Sequence, residues 1–155
     1  MIKTILTHNG SFQADDIFAV AILISVIGES KVIRTRDKDR ISVADYVVDV
    51  GMIYDPAKNR FDHHQPGGAG ERPNGIPYAS CGLVWKEFGE TLAGGSEAAD
   101  LIDVKLIGPL DAHDNGVAIA DYRFKNIREY SVIDFFYSFL PSLHESEEDL
   151  YRIFM

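Results

Sequence analysis

Apolar positions along the chain come in short runs separated by turn residues, interleaved with stretches of helical spacing. Ile2 to Leu6 is a short, mostly apolar run, followed by the turn residues Thr7 to Ser11, which predicts a strand and its exit loop. Asp15, Ile17, Phe18, Ala21, Ile22, Leu23 and Ile27 then recur with partly helical spacing, closed by Gly28. Lys31 to Thr35 reads as a second strand. Asp45 to Val50 reads as a third, apolar enough on both faces to lie inside a parallel sheet. Strand, loop, helix and strand in alternation predict an α/β fold: a doubly wound, mostly parallel sheet with helices on both faces.

Beyond Tyr54 the pattern loosens. Asp55 to Asn59 forms a turn, and Arg60 to Asp62 returns as a short strand or a bend. Four glycines and three prolines within residues 65–77 predict a mobile loop. Ser80 reads as the cap of a helix over Cys81 to Phe88 with Gly89 as its stop. Ser96 caps a further helix to Ile107 that ends before Gly108 and Pro109. Asp111 to Asn115 is then expected as a polar loop. An aromatic-rich helix over Ser131 to Leu140, stopped by Pro141, precedes another helix from Glu145 to Met155.

The 155 residues suit one domain, and 46% hydrophobic residues are enough for a core without staples. Cys81 is the only cysteine, which excludes an internal disulfide and predicts a small buried residue. No run reaches the roughly 18 apolar residues a spanning helix needs, and the N-terminus lacks the pattern of a signal peptide, so the expected location is cytoplasmic, with no membrane partner. A net charge of -9 excludes passive nucleic-acid binding through a broad basic face. An anionic substrate would need local attraction, which bound divalent cations provide.

The densest chemistry is Asp62, His63 and His64, a carboxylate and two imidazoles on consecutive positions. Two adjacent imidazoles have no packing rationale, and Asp62 can fix the tautomer of a neighbouring ring. His8 and Asp49 fall at the ends of predicted strands, where ligands gather in a doubly wound sheet. His and Asp together suit Mn2+ or Mg2+. Taken singly, a post-strand Asp is more often a turn former, and His8 alone is an ordinary loop histidine.

The run Asp62-His63-His64, preceded by Asp49-Val50-Gly51 and Tyr54-Asp55-Pro56, resembles the DHH phosphoesterase superfamily. Closer still is the resemblance to the melanocyte-proliferating-gene (Myg) family. It is carried by Thr7-His8-x-Gly10-x-Phe12-x-x-Asp15, Arg60-Phe61-Asp62-His63-His64-Gln65, Ser80-x-Gly82-Leu83-Val84 and Asp111-Ala112-x-Asp114-Asn115-Gly116. The resemblance runs through nearly the whole chain and corresponds to the family's N-terminal part, without the second region that helps hold substrate. It implies that His8, Asp15, Asp49, His63 and Asp111 are metal ligands for two ions, Mn2+ or Mg2+, with Asp49 bridging. His64 would face the phosphate and Asp62 would orient the imidazoles. Asp16, Asp114 and Asn115 are given supporting places near the site. Gln13 stands where the family pattern has His, which implies that the ion shared with His8 binds weakly while the other survives.

The activity implied is metal-dependent hydrolysis of phosphodiesters, exonucleolytic on RNA or DNA ends, with Arg34, Arg36 and Arg72 as candidate phosphate contacts. Three other readings stand beside it: a small-nucleotide phosphatase, a metal-dependent protein hydrolase ranked lower because no His-Glu-x-x-His pattern is present, and a metal- or partner-binding module impaired by Gln13. Oligomerisation is not legible.

Overall fold

The computed structural model describes residues 2–124 and 127–139. Five strands form one sheet: β1 (Lys3–Thr7), β2 (Ser30–Arg34), β3 (Tyr46–Val48), β4 (Tyr54–Asp55) and β5 (Arg60–Phe61), in the order β2-β1-β3-β5-β4. β1 runs parallel to β2 and β3, and β3 parallel to β5; only β4 is antiparallel, to β5. The expected doubly wound, mostly parallel α/β arrangement is therefore the observed one.

Alternation along each strand divides the apolar residues between two faces. Ile5, Val48 and Phe61 join α1 (Ala14–Ile27) and α3 (Ser80–Ala93) in the main core, with Leu23, Leu83, Val84, Ile107 and Leu110. Their strand neighbours Leu6 and Val47 point the other way, onto Ala44, with Ile33, Ile41 and Val50 packed around them. That second face is covered by α2 (Lys38–Val43), a six-residue helix none of whose residues is buried. The polar run from Arg34 to Arg40 hid it; its start is set by Asp37, whose carboxylate accepts from the Asp39 and Arg40 amides.

Several boundaries differ from expectation for local reasons. Ser80 is the first residue of α3, not its cap, and its hydroxyl donates to Asp49 instead. Gly89 lies inside α3 because the Trp85 ring covers it: a Cβ there would stand 2.6 Å from the indole. The helix stops at Gly94, in the left-handed conformation (φ 79°).

Gly108 and Pro109 do not end the next helical stretch. α4 (Ser96–Ile102) passes through a wide π-type turn, Asp103–Ile107, into α5 (Gly108–Asp114). The widened turn accommodates a proline, which lacks an amide and crowds the preceding turn. Asp111 to Asp114 are thus helical rather than a loop.

The segment over residues 65–77 is not an open loop either. Arg72 N donates to Ile76 O at 2.9 Å and Tyr78 N to Gly70 O at 3.0 Å, while the Arg72 side chain is buried. α6 (Val132–Tyr137) is shorter than expected and capped by Ser131; the proposed end at Leu140 and the helix from Glu145 lie outside the described residues. Among the described residues no helix is long and apolar enough to cross a membrane. Cys81 is fully buried and free.

Candidate metal centre

β1, β3 and β5 are neighbours running the same way, so their carboxyl ends open on one place. The residues that follow those ends are His8, Asp49 and Asp62 to His64. Asp49 lies at the middle. His8 Nε2 is 3.2 Å from Asp49 Oδ2, His63 Nε2 is 3.5 Å from Asp49 Oδ1, and His64 Nδ1 is 3.4 Å from the same oxygen. Asp49 adopts φ 55°, a left-handed conformation that Asp tolerates better than most residues. The Ser80 hydroxyl donates to it at 3.3 Å.

Around this carboxylate stand the others. Asp16 Oδ2 is 3.3 Å from His8 Nε2, and Asp114 Oδ2 is 3.1 Å from His63 Nε2. Asp15 is buried beneath the N-terminus of α3, where it accepts from Ser80 N at 3.1 Å and Cys81 N at 2.7 Å. Asp62 Oδ1 accepts from the backbone amide of His64 and is 2.7 Å from its Nδ1, while Asp62 Oδ2 takes the Met52 amide. His64 is thereby oriented with half its surface exposed.

The remaining expected site residues are engaged by neighbouring side chains and backbone. Asp111, expected as a ligand, lies beside Asp15 and Cys81, and Arg72 Nη1 donates to its Oδ2 at 2.7 Å and Gly82 N to its Oδ1 at 3.0 Å. The carboxylate brought against His63 is Asp114, one helical turn further on. Arg72, expected to meet phosphate, is 5% exposed and also donates twice to Asp103, at 2.8 and 2.7 Å. Arg34 holds the loop before α1, donating to Gly10 O and approaching Asp16, with its guanidinium over the Phe12 ring. Asn115 gives its amide to the carbonyls of Asp111 and Pro77. Arg36 is exposed and hydrogen-bonded to Asn9. Gln13 caps α1 from an exposed position, its backbone N–H donating to Asp16 Oδ1 at 3.0 Å.

Glycine is required at position 82. A Cβ there would stand 1.7 Å from Asp111 Oδ2 and 2.9 Å from Arg72 Nη2, so the buried ion pair can form only over a bare backbone.

The electrostatics follow from carboxylates and imidazoles sharing a buried space. Burial works to raise Asp49, but its contacts with His63 and His8 and the charge of His64 outweigh that and hold it at about 2. Burial also works to lower His63; Asp114, Asp49 and Asp15 overcome it and push the ring up to about 10. Burial raises Asp16 to about 6, restrained by His8, and Asp111 to about 6, restrained by Arg72. Asp15, wholly buried and facing the charges of Asp49, Asp114 and Asp111, is raised well above the usual range.

Among the described residues, three buried atoms of this group, His8 Nε2, Asp49 Oδ2 and His63 Nε2, have no hydrogen-bond partner. A buried polar atom left unpaired costs about 1–3 kcal/mol. Clustered lone pairs of nitrogen and oxygen are the donor set a divalent cation takes, so the residues fit a metal. Two overlapping groups can each hold an ion: Asp49, His63 and His64, and Asp15, His63 and Asp114. A third group, Asp15, Cys81 and Asp111, is entirely buried.

The pKa shifts predict an unusual pH profile for the metal-free chain. His63 favours the fold fully below its ordinary 6.5, and that contribution is lost as pH rises through about 10. The share from Asp16 and Asp111 is full below 3.8 and is lost as pH rises through about 6. Asp49 acts oppositely, stabilising above 3.8 and losing that share as pH falls through about 2. In chelator, the Tm should therefore fall from about pH 6 to about pH 9, and a divalent cation should abolish most of that fall by replacing protons. Calorimetry in two buffers of different ionisation enthalpy should show proton release on metal binding.

Among known proteins, the family described as MYG1_exonuc, Uncharacterised protein family (UPF0160), matches residues 4–154. The chain is 39% identical over 127 residues to a MYG1 protein of Dictyostelium discoideum, covering 74% of this chain and 39% of that one. It is 32% identical over 136 residues to the protein of Homo sapiens named MYG1 exonuclease, covering 72% and 35%. It is also 34% identical over 116 residues to a MYG1 protein of Chlamydia muridarum, covering 74% and 38%. The matches thus span well under half the length of these relatives. No solved structure matches the chain.

Proposed function

Since the chain belongs to the MYG1_exonuc family, UPF0160, we propose that it is the metal-holding part of a phosphodiester hydrolase acting exonucleolytically on RNA or DNA. The observation that carries this reading is the trio of unpaired buried atoms on His8, Asp49 and His63 where three parallel strands end. Relatives in Homo sapiens and Bos taurus bear the name MYG1 exonuclease, and the DHH-like run Asp62-His63-His64 agrees with it.

In this proposal Asp49 would be shared by two cations, Mn2+ or Mg2+. His63, Asp15 and Asp114 would hold one and His8 the other, with Asp111 as an Arg72-paired support beside Asp15. Bound divalent ions supply charge neutralisation at a phosphoryl group and a lowered pKa for attacking water. The chain's own groups position the substrate. Asp62 holds His64 through Nδ1, which leaves Nε2 to face a phosphate oxygen and give or take a proton there. The same carboxylate is kept ionised against its burial by His64 and the Met52 amide.

Release of nucleotides from short RNA with Mn2+ tests the reading, run beside a Gln13→His variant. An imidazole at position 13 is expected to tighten the ion shared with His8 by about tenfold or more and to raise the rate. If neither protein cleaves any phosphoester while both bind metal, the hydrolase reading fails and a binding module remains.

A further inference from the structure

The short helix α2 leaves a cavity of about 680 Å3 on the second face of the sheet, running from the tip of α2 to Asp49, Asp62 and His64. Its size falls in the range of about 300–1,000 Å3 usual for small-molecule sites. One wall is Ile41 and Val50, partly buried against the minor core. The facing lip is Met52 and Ile53, exposed at 54% and 51%. Arg36 and Lys38, both exposed, also line it, with Ser42 and Arg60.

The lip is held out at a conformational cost. Asp49, Gly51 and Met52 have φ 55°, 104° and 60°, and a left-handed methionine is strained because its side chain crowds the backbone. Two hydrogen bonds hold it: the Met52 amide donates to Asp62 Oδ2 at 2.5 Å, and the Asp62 amide to Ile53 O at 3.1 Å. Asp62 therefore grips His64 with one oxygen and the lip with the other. An apolar slot is set in fixed register with the imidazole.

We propose that this slot takes the base and sugar of the terminal nucleotide, whose phosphate, the one that joins it to the rest of the strand, then lies at His64. The proposal rests on the hydrolase reading above and adds to it where the substrate's non-reacting part is bound. The chemistry selects the occupant. A flat heterocycle buries its faces on Met52, Ile53, Ile41 and Val50, and its phosphate reaches His64. These four apolar residues hold the faces of a base without reading its edge, so contact area favours purines.

The test uses the whole chain with methionine methyl groups labelled with 13C, in Mg2+, titrated with AMP, UMP, ribose 5-phosphate and inorganic phosphate. The Met52 methyl, assigned through a Met52→Asn variant, is expected to take a ring-current shift from AMP and a smaller one from UMP. Ribose 5-phosphate and phosphate should leave it unmoved. Asn suits a left-handed backbone, so Met52→Asn should keep the fold while weakening AMP about five- to tenfold and sparing inorganic phosphate.

AMP that binds without moving Met52, or binds Met52→Asn as tightly as the unaltered chain, overturns the slot. Failure of AMP to bind at all does the same. The two readings fail separately: a base contact at Met52 without phosphoester cleavage keeps the slot and removes the hydrolase, and cleavage without that contact does the reverse.

Discussion

Replacing Asp49 by Asn is expected to cut metal-dependent phosphoester cleavage by at least about 10²–10³-fold, as befits loss of the central charge at a preorganised electrostatic site. The substitution separates charge from shape. Asn tolerates the φ of 55° at this position, and its side-chain oxygen still accepts from the Ser80 hydroxyl. What it removes is the anion that His8, His63 and His64 all approach within 3.5 Å. Two readouts do not depend on turnover. Divalent-ion affinity by calorimetry should drop, and the ring titrations of His8 and His63 should move down, because Asp49 helps to raise both. Unaltered His titrations would mean that Asp49 does not govern the site.

Arg72→Met is expected to cost about 3–5 kcal/mol, the usual result of stripping one partner from a buried ion pair. For a domain of this size that is a fall in Tm of about 6–20 °C. Arg72 holds two carboxylates at once, Asp103 bidentately and Asp111 singly, and Asp111 is wholly buried. Burial already raises Asp111 to about 6 against the pull of Arg72; without the guanidinium it would be held as the neutral acid. A double variant, Arg72→Met with Asp111→Asn, should recover part of the loss, since no uncompensated buried charge would remain. Thermal unfolding in chelator isolates this effect from metal binding. A fall under about 1 kcal/mol would place Arg72 among ordinary surface pairs.

The sheet was legible because parallel strands buried on both faces read as short, mostly apolar runs, as Ile2 to Leu6 and Asp45 to Val50 do. So were His8, Asp49 and the Asp62 to His64 run, since strand ends in such a sheet are where side chains converge. The other half of the site was not, because it depends on how a helix passes a proline. With Gly108-Pro109 read as a stop, Asp111 and Asp114 fell in a loop and could be told apart only by analogy. Once the helix is seen to continue, their spacing of three puts both on one side of it, and Asp103, two turns before Asp111, becomes the natural second partner of a cation. Arg72 misled for a related reason: a guanidinium in a glycine- and proline-rich segment reads as surface, while its true setting is fixed by carboxylates 31 and 39 residues away. Helix α2 was hidden by charge, and with it the slot beside it.

The central claim is that imidazoles and carboxylates from the ends of β1, β3 and β5 close around divalent cations. Anomalous scattering from a crystal soaked in Mn2+ tests it most directly. The expected map has a strong peak bounded by Asp49, Asp15, His63 and Asp114, with a weaker one on the His8 side of Asp49, strengthened in Gln13→His. Anomalous peaks confined to exposed carboxylates, with none touching Asp49, would contradict it.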